Sequence, residues 1–280
     1  MFVLKPDEYT HPKDQSTLNE LKAVPGFTAI LRAFMKNFTE KTLHGMNMAN
    51  KIRLGRDQLP GLYAFLAPLC ETLGVEEIPE LYLEQTPAVN AYTQGDSIVS
   101  ITLTSGLVEA MTDLQIRAVL AHEVAHVACH HVLYHTLGDL LLTAGSDLLG
   151  LGGLLTAPLR LPLYQWLRMS ELSCDRAAAL CLGDPQPMLE ALMILAGGKE
   201  SRFGPLSLNS YIRQAESYAK EADESLLSKG LQYISVVGQS HPFLSMRVSE
   251  LITFSESDRY KQLMKRYEMA HTPISVPHKG

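Results

Sequence analysis

Two histidines and a glutamate stand at a regular spacing in the segment HEVAH, residues 122–126. Residues four positions apart lie on the same face of an α-helix, one turn from each other, so that His122 and His126 can bind a single ion. Two imidazoles held in this way are typical ligands of Zn²⁺, and the glutamate between them reaches a water molecule beside the ion. The spacing therefore predicts one zinc ion per chain, with His122 and His126 as ligands and Glu123 as general base.

A zinc site of this kind needs a third protein ligand and keeps a fourth position open for water. The extended pattern HExxHxxGxxH does not supply that ligand, because Cys129 and Val132 stand where it requires glycine and histidine. His130 follows His122 by eight residues, which is about 12 Å along a helix axis and too far to share an ion. We therefore expect the third ligand to come from another part of the chain.

Three more histidines, His130, His131 and His135, follow in the same predicted helix. Polar and positively charged groups are favourable near the negative end of a helix. We therefore expect these three to be ordinary polar positions late in the helix. Cys129 and Cys174 are expected to be structural, since small buried thiols are common in protein cores.

A carboxylate pair supplies the missing ligand. Glu171 and Asp175 are four residues apart in the segment RMSELSCDRAA, so that a helix would place both on one face. Glu171 can complete a site of two histidines and one glutamate. Asp175 is then placed to accept a hydrogen bond from the other ring nitrogen of one of the ligand imidazoles, as carboxylates commonly do in zinc sites.

These motifs together resemble those of the HtpX and CAAX-prenyl-protease family of gluzincin metallopeptidases. The resemblance includes HEVAH, the later pattern RxxExxxDRxA, an upstream strand region and a downstream HP…R element. Upstream, Asn90, Ala91 and Tyr92 with Gly95 are similar to the NAF-x-x-G strand region of the family. Residues 105–107 are similar to the Gly-Leu pair that precedes the active-site helix in the family. Downstream, residues 241–243 and Arg247 match the HP…R element. The four blocks cover roughly residues 75–250.

The resemblance implies both a fold and an activity. The fold is a zincin-like catalytic domain, with a small β-sheet above the HExxH helix and a helical C-terminal part. The activity is peptide-bond hydrolysis, most simply as an endopeptidase acting on peptides or proteins. The strand at Asn90, Ala91 and Tyr92 is then expected to bind the substrate backbone. His241 is expected to stabilise the oxyanion, with Arg247 in support.

The helix that carries the motif is strongly signalled in the sequence. Residues 112–115 have the form of a capping box, in which side chains satisfy the first free N–H groups of a helix. Ile116, Leu120 and Val124 recur at helical spacing. No glycine or proline interrupts residues 112–136, which predicts one continuous helix. This context disfavours the alternative of two structural histidines and a solvated glutamate.

The remaining elements predict an α+β chain that is mainly helical. Strands are expected at 81–84, 88–93 and 98–104, with a hairpin turn at 94–96. Helices are expected at 18–53 with a break at Pro25-Gly26, and at 59–73, 207–227 and 259–270. We predict a single domain over 1–280, with an N-terminal helical segment (1–74), a catalytic core (75–250) and a C-terminal helix and tail (251–280).

Composition is typical of an intracellular enzyme. With 280 residues, of which 46% are hydrophobic, the chain can bury a full core. The net charge of −6 and the absence of lysine and arginine clusters argue against nucleic-acid binding. Four cysteines are too few for a disulfide scaffold, and the first residues lack the pattern of a secretion signal. A cytoplasmic location is expected, and the sequence does not specify the oligomeric state.

Membrane-embedded members of the family usually carry two spanning helices between the HExxH helix and the third ligand. Here the longest uncharged run of that interval is 148–159, which is short of the roughly 18–20 residues that a span requires. This departure predicts a soluble or peripheral relative. It leaves open a peripheral membrane contact through residues 137–167.

Two other functions are compatible with the sequence. One is a latent peptidase, in which the C-terminal segment 271–280, with His271 and His278, lies over the cleft. The other is a metal-binding interaction protein that performs no catalysis. The intact Glu123 argues against the second.

Overall fold

A computed structural model describes residues 2–37, 40–143, 152–198, 204–224 and 243–271. Its strands are β1 (Ile52–Arg53), β2 (Glu80–Glu84), β3 (Ala91–Gln94) and β4 (Ser100–Thr104). Its helices are α1 (Pro6–Tyr9), α2 (Pro12–Ala23), α3 (Phe27–Asn37), α4 (Glu40–Asn50), α5 (Pro60–Tyr63), α6 (Leu66–Leu73), α7 (Ser105–Ala110), α8 (Asp113–Ala128), α9 (Val132–Thr143), α10 (Gly152–Leu182), α11 (Gln186–Gly197), α12 (Leu208–Glu224), α13 (Leu244–Glu256) and α14 (Asp258–His271). The predicted α+β, mainly helical class is confirmed.

The sheet is small and mixed, with the strand order β1-β2-β4-β3. Strands β2 and β4 are parallel, whereas β1 pairs with β2 and β3 pairs with β4 in antiparallel register. Every residue of β4 is buried, which suits its position between two neighbours. Strand β3 is at the edge of the described sheet, next to α8 and α9.

Two glycines allow close approaches beside this sheet. Gly95 forms the predicted hairpin turn between β3 and β4 at φ +124°, and an added Cβ there would meet the Ile98 carbonyl oxygen at 2.1 Å. Gly106 is the second residue of α7 and lies beside Pro87, whose carbonyl oxygen would lie 2.4 Å from an added Cβ. Both positions therefore require a residue without a side chain.

Helix α1 and the start of α2 were not predicted, and two stretches of the N-terminal segment that were predicted as helix differ in the structure. Residues 52–53, expected at the end of a helix, form β1, because Ile52 and Arg53 pair with Leu83 and Tyr82 of β2. The helix predicted at 59–73 is divided into α5 and α6. Local propensity favoured helix at both places, but strand pairing and tertiary packing override it.

The helix that carries the HExxH motif begins as predicted. The Thr112 hydroxyl accepts from the Gln115 backbone N–H, and the Gln115 side chain accepts from the Thr112 N–H at 2.9 Å. The prediction of one continuous helix to residue 136 is wrong, however. The helix ends at Ala128, and α9 starts at Val132.

The break between α8 and α9 is a helix end of the Schellman type. His130 has φ +57°, in the left-handed region. The His131 N–H donates to the His126 carbonyl at 2.9 Å, and the His130 N–H donates to the Val127 carbonyl at 3.0 Å. These are the two bonds of the motif, which is usually built on glycine at the left-handed position. A histidine in that position gave no sequence signal.

Among the described residues, the buried hydrophobic side chains form two clusters. The larger packs the sheet against α6, α8, α10, α11 and α13. The smaller joins the N-terminal helices α2 and α3 to α9 and α10, and it includes Leu21, Phe27, Leu137 and the fully buried Trp166. The N-terminal helices are thus packed directly onto the two helices that flank the candidate site.

Within the described ranges, no helix is both long enough and apolar enough to cross a membrane. Part of the interval 137–167, namely residues 144–151, lies outside those ranges. The described part of the interval belongs to α9 and α10.

Candidate metal centre

Three side chains predicted to bind zinc lie together at the meeting point of α8 and α10. The Nε2 atoms of His122 and His126 are 3.2 Å apart. The two carboxylate oxygens of Glu171 lie 3.4 Å from His122 Nε2 and 3.3 Å from His126 Nε2. Each of the three residues is at most 2% exposed. The structure therefore brings this predicted set together in the interior.

The spacing of these atoms fits a tetrahedral zinc ion. Bonds of about 2.0–2.1 Å in a tetrahedron place the ligand atoms about 3.3–3.4 Å from one another. The distance between the two Nε2 atoms is 3.2 Å, and the distance from each of them to a different oxygen of Glu171 is 3.3 or 3.4 Å, so all three agree with that spacing. Two imidazoles and one carboxylate also form a known zinc donor set.

Asp175 lies behind His122, one helical turn after Glu171. Its Oδ1 is 2.9 Å from His122 Nδ1. An ionised carboxylate can only accept, so His122 donates from Nδ1 and directs the lone pair of Nε2 towards Glu171 and His126. The i, i+4 spacing of Glu171 and Asp175 thus places one carboxylate at each nitrogen of the same imidazole.

Arg247 of α13 joins both carboxylates. Its Nε and Nη2 donate to the two oxygens of Asp175 at 2.8 and 2.6 Å, and its Nη1 lies 2.8 Å from Glu171 Oε2. Burial favours the protonated form of Asp175, but the charge and hydrogen bonds of Arg247 outweigh it and lower the Asp175 pKa. Arg247 was predicted to support His241, which lies outside the described residues. Its described contacts are with the carboxylates.

The two histidines differ in their protonation behaviour in the metal-free protein. Burial lowers the pKa of His126. Burial acts in the same direction on His122, but the carboxylates of Glu171 and Asp175 outweigh it and raise its pKa to about 9. The two carboxylates thus favour the protonated form of His122 in the metal-free protein.

Glu123 is also buried, and a residue of the sheet holds it. The Thr93 hydroxyl donates to Glu123 Oε2 at 2.6 Å. Thr93 lies on β3, on the same face as Ala91, because side chains alternate along a strand. Thr93 was not among the residues predicted for the site, although the alternation of side chains from Ala91 indicates that it lies on the same face.

The residues predicted to bind substrate divide between two places. Ala91 is buried and lines a small cavity together with His122 and Glu123. The Asn90 backbone is bonded to Thr104, donating to its hydroxyl at 3.0 Å. The Tyr92 hydroxyl instead donates to Glu84 at 2.7 Å, on the opposite face of the sheet. The Tyr92 side chain is thus directed away from the candidate centre.

The prediction that His131 and His135 are ordinary polar positions late in a helix is wrong. The helix end at His130 turns the chain back, so that His131 Nδ1 lies 3.3 Å from His126 Nδ1. The His135 ring centroid lies 4.4 Å from that of His126. A second set of possible ligand atoms, from His126, His135 and Glu171, lies within 4.8 Å. His135 Nε2, however, is 2.8 Å from the Ser170 hydroxyl.

Cys174 also lies close to the two motif histidines, with ligand atoms within 4.8 Å of one another. Zinc binds the thiolate form of cysteine. Burial and the neighbouring negative groups raise the Cys174 pKa well above its usual value, which favours the neutral thiol. A neutral thiol makes Cys174 a poorer candidate ligand than the carboxylate of Glu171.

The sequence was compared with known proteins. The sequence profile of Peptidase family M48 matches residues 62–254. The chain is 34% identical to the plastoglobule-localized metallopeptidase 48, chloroplastic, of Arabidopsis thaliana over 98% of this chain and 79% of that protein. It is 25% identical to a protease HtpX homolog of Methylibium petroleiphilum over 77% of this chain and 81% of that one. A third relative, the protease HtpX homolog of Bifidobacterium longum, is 22% identical over 80% of this chain and 76% of that protein.

No solved structure was found to match the chain. The family profile covers well over half of the sequence, and the Arabidopsis relative aligns along almost all of it. The relatives carry the names of proteases and of a metallopeptidase. The chain therefore belongs to Peptidase family M48 and is a metal-dependent protease.

Proposed function

We propose that this chain is a zinc endopeptidase in which His122, His126 and Glu171 hold the ion and Glu123 is the general base. The observation that carries the proposal is the close approach of these buried side chains: the two histidine Nε2 atoms are 3.2 Å apart, and each lies 3.3–3.4 Å from one oxygen of the Glu171 carboxylate. When bound, the zinc ion would polarise the scissile carbonyl and lower the pKa of the attacking water.

The residues of the chain supply the proton transfers. Glu123 accepts the proton of the water and delivers it to the leaving amine. Thr93 donates to Glu123 Oε2 at 2.6 Å and so sets the orientation of the carboxylate. Asp175 and Arg247 hold His122 in the tautomer whose Nε2 can bind the ion.

The edge strand β3 is the proposed binding site for the substrate backbone. An extended peptide can add to a sheet edge through main-chain hydrogen bonds, which accommodates substrates of varied sequence. Ala91 and Thr93 face the centre from this strand. The proposed part of Tyr92 in binding is limited to its main chain, because its side chain is bonded to Glu84 on the other face. His241 stays the proposed donor to the oxyanion.

Chelation tests the proposal as a whole. We expect dialysis against 1,10-phenanthroline to remove about one zinc per chain and to abolish hydrolysis of casein or a quenched peptide. Addition of zinc, but not of magnesium, should restore the activity, because magnesium prefers an octahedron of oxygen ligands. Elemental analysis and the hydrolysis rate are measured on the same samples. Absence of zinc from the purified protein would contradict the proposed site.

Zinc content without cleavage would favour the latent form of the enzyme instead. Both His122 and Glu123 are at most 2% exposed, so a substrate reaches them only if the pocket opens. This burial is the observation that keeps the latent peptidase as a second candidate.

The affinity for zinc is expected to rise with pH up to about 9. His122 must lose its proton to bind an ion, and its carboxylate neighbours raise its pKa to about 9 in the metal-free protein. The apparent dissociation constant should therefore fall about tenfold per pH unit between pH 7 and 8.5. Competition with a chelating dye of known affinity at each pH measures this. A constant affinity over that range would show that His122 is already neutral in the metal-free protein.

The same raised pKa affects the stability of the metal-free fold. A histidine whose folded pKa exceeds its unfolded value stabilises the fold fully at low pH, below about 6.5. That contribution is lost as the pH rises through about 9, where His122 loses its proton in the folded protein. Zinc binding and protonation of His122 are thus alternatives at the same nitrogen.

A peripheral membrane contact through residues 137–167 stays a proposal. The name of the Arabidopsis relative places that protein at plastoglobules. Within the described part of α10, Leu161 is 48% exposed and is therefore accessible for such a contact.

A further inference from the structure

Besides Asp175, another buried carboxylate lies near the candidate metal centre. It comes from the N-terminal segment, in which the sequence showed no recognisable motif. Asp14 of α2 is 2% exposed, and its Oδ2 lies 3.2 Å from His131 Nε2. The other nitrogen of His131, Nδ1, lies 3.3 Å from His126 Nδ1. A continuous line of polar contacts thus runs from Asp14 through His131 to the proposed ligand His126.

The contacts of Asp14 show that it acts as an acceptor. The Trp166 indole N–H donates to its Oδ1 at 2.9 Å, and the Ser173 hydroxyl donates to its Oδ2 at 2.5 Å. Burial alone would raise the pKa of Asp14, but its hydrogen bonds to His131, Ser173 and Trp166 lower it below its usual value. An ionised carboxylate with these neighbours has no proton to donate. The remaining neighbour, His131, must therefore donate to it.

The proton positions then follow from one residue to the next. His131 donates from Nε2 to Asp14, so a neutral His131 presents the lone pair of Nδ1 to His126. His126 donates its Nδ1 proton to that lone pair, which leaves the lone pair of Nε2 directed at His122 and Glu171. This is the one tautomer of His126 that can bind an ion through Nε2.

We infer that Asp14 is a positioning residue which, through His131, orients His126 for metal binding. The inference rests on the proposed zinc site. It assigns to His126 an arrangement comparable to that of His122, whose Nδ1 is held directly by Asp175 at 2.9 Å. The carboxylate that serves His126 is that of Asp14, and it acts through one additional imidazole, that of His131.

The packing of the N-terminal helices supports a fixed position for this line of contacts. Helix α2 packs against α10, and Leu21 of α2 is buried in the same cluster as Trp166. The Trp166 ring lies edge-on to His131, with centroids 5.4 Å apart. His131 is 3% exposed, so that its ring cannot turn to another partner without displacing these neighbours. The N-terminal segment thus contributes a functional part of the centre.

The experiment measures the zinc dissociation constant of Asp14→Asn and His131→Phe by competition with a chelating dye. An amide at position 14 offers an N–H₂ that reverses the preferred tautomer of His131, and phenylalanine removes the acceptor of the His126 proton. Both variants should raise the dissociation constant about 10- to 100-fold, as loss of a partner behind a ligand commonly does. Ser173→Ala is the matched control, because it removes a hydrogen bond to the same oxygen of Asp14 and does not touch His131. Its dissociation constant should stay within about threefold of the wild-type value.

A double variant and a spectroscopic measurement separate positioning from a structural role. If Asp14 acts through His131, then adding Asp14→Asn to His131→Phe causes no further loss of affinity. With cobalt in place of zinc, the d–d absorption of Asp14→Asn should differ from that of wild type, whereas that of Ser173→Ala should not.

Three outcomes distinguish the alternatives. A wild-type dissociation constant in Asp14→Asn, with a lower melting temperature, would overturn the inference and leave Asp14 a structural residue. If Asp14→Asn does not fold, His131→Phe decides alone, and unchanged affinity in it overturns the inference as well. Failure of the wild-type protein to bind zinc would instead contradict the proposed function.

Discussion

Replacing Glu123 with glutamine is expected to lower kcat by about 10³- to 10⁴-fold while leaving about one zinc in the protein. Glutamine has nearly the same shape and still accepts a hydrogen bond from Thr93, which donates to Glu123 Oε2 at 2.6 Å. It cannot accept a proton from water, however. The initial rate of peptide hydrolysis and the zinc content of each preparation are the measurements.

Glu190→Gln is a matched control for this variant. Glu190 is a carboxylate of the neighbouring helix α11, where it accepts from the Gln115 side chain at 2.9 Å, away from the ligand atoms. Its replacement should leave kcat within about twofold of wild type, as a change outside the site normally does. Zinc-loaded Glu123→Gln with wild-type activity would exclude Glu123 as the base. Loss of zinc from Glu123→Gln would show that the residue has a structural part in the site.

Replacing Arg247 with methionine is expected to destabilise the metal-free protein by about 3–5 kcal/mol at neutral pH. Arg247 is 2% exposed and contacts both Glu171 and Asp175, so its loss leaves two buried carboxylates with less positive charge beside them. The midpoint and slope of urea unfolding give the change in the free energy of unfolding. Because the cost depends on ionised carboxylates, it should shrink as the pH falls through the folded pKa of Asp175, which Arg247 lowers in the wild type.

Arg213→Met provides the comparison for Arg247. The Arg213 side chain lies at the surface, where it donates to Ser210 at 3.0 Å. Its replacement should change the free energy of unfolding by no more than about 0.5 kcal/mol. Equal effects of the two replacements would show that the buried ion pairs at Arg247 contribute little. Added zinc should restore part of the stability of Arg247→Met, since it brings positive charge to Glu171.

The parts of the site that depend on local periodicity could be predicted from the sequence. His122 and His126 are one turn apart on α8, and Glu171 and Asp175 are one turn apart on α10, as their spacing indicated. That α8 and α10 meet could not be obtained from periodicity alone. It was expected because the motifs, taken together, resemble a known family. The assignment of these residues as ligands stays a prediction until metal is measured.

The contacts that could not be predicted depend on long-range packing or on an unusual backbone. The left-handed conformation of His130 ends α8 without a glycine, and this end is what turns His131 back to His126. Asp14 meets His131 only because the N-terminal helices dock on α9 and α10. Arg247 was expected near an oxyanion donor, but the structure places it between Glu171 and Asp175. No pattern within a single helix contains that information.

The docking of the N-terminal helices has an optical consequence. The chain contains a single tryptophan, Trp166, and its indole N–H is bonded to Asp14 while its ring lies edge-on to His131 and His135. All of the tryptophan emission of the protein therefore originates from one buried position beside the histidines. Separation of α2 from α10 would admit water to that ring and move its emission to longer wavelength. The chain carries its own fluorescent reporter at the junction between its N-terminal segment and its centre.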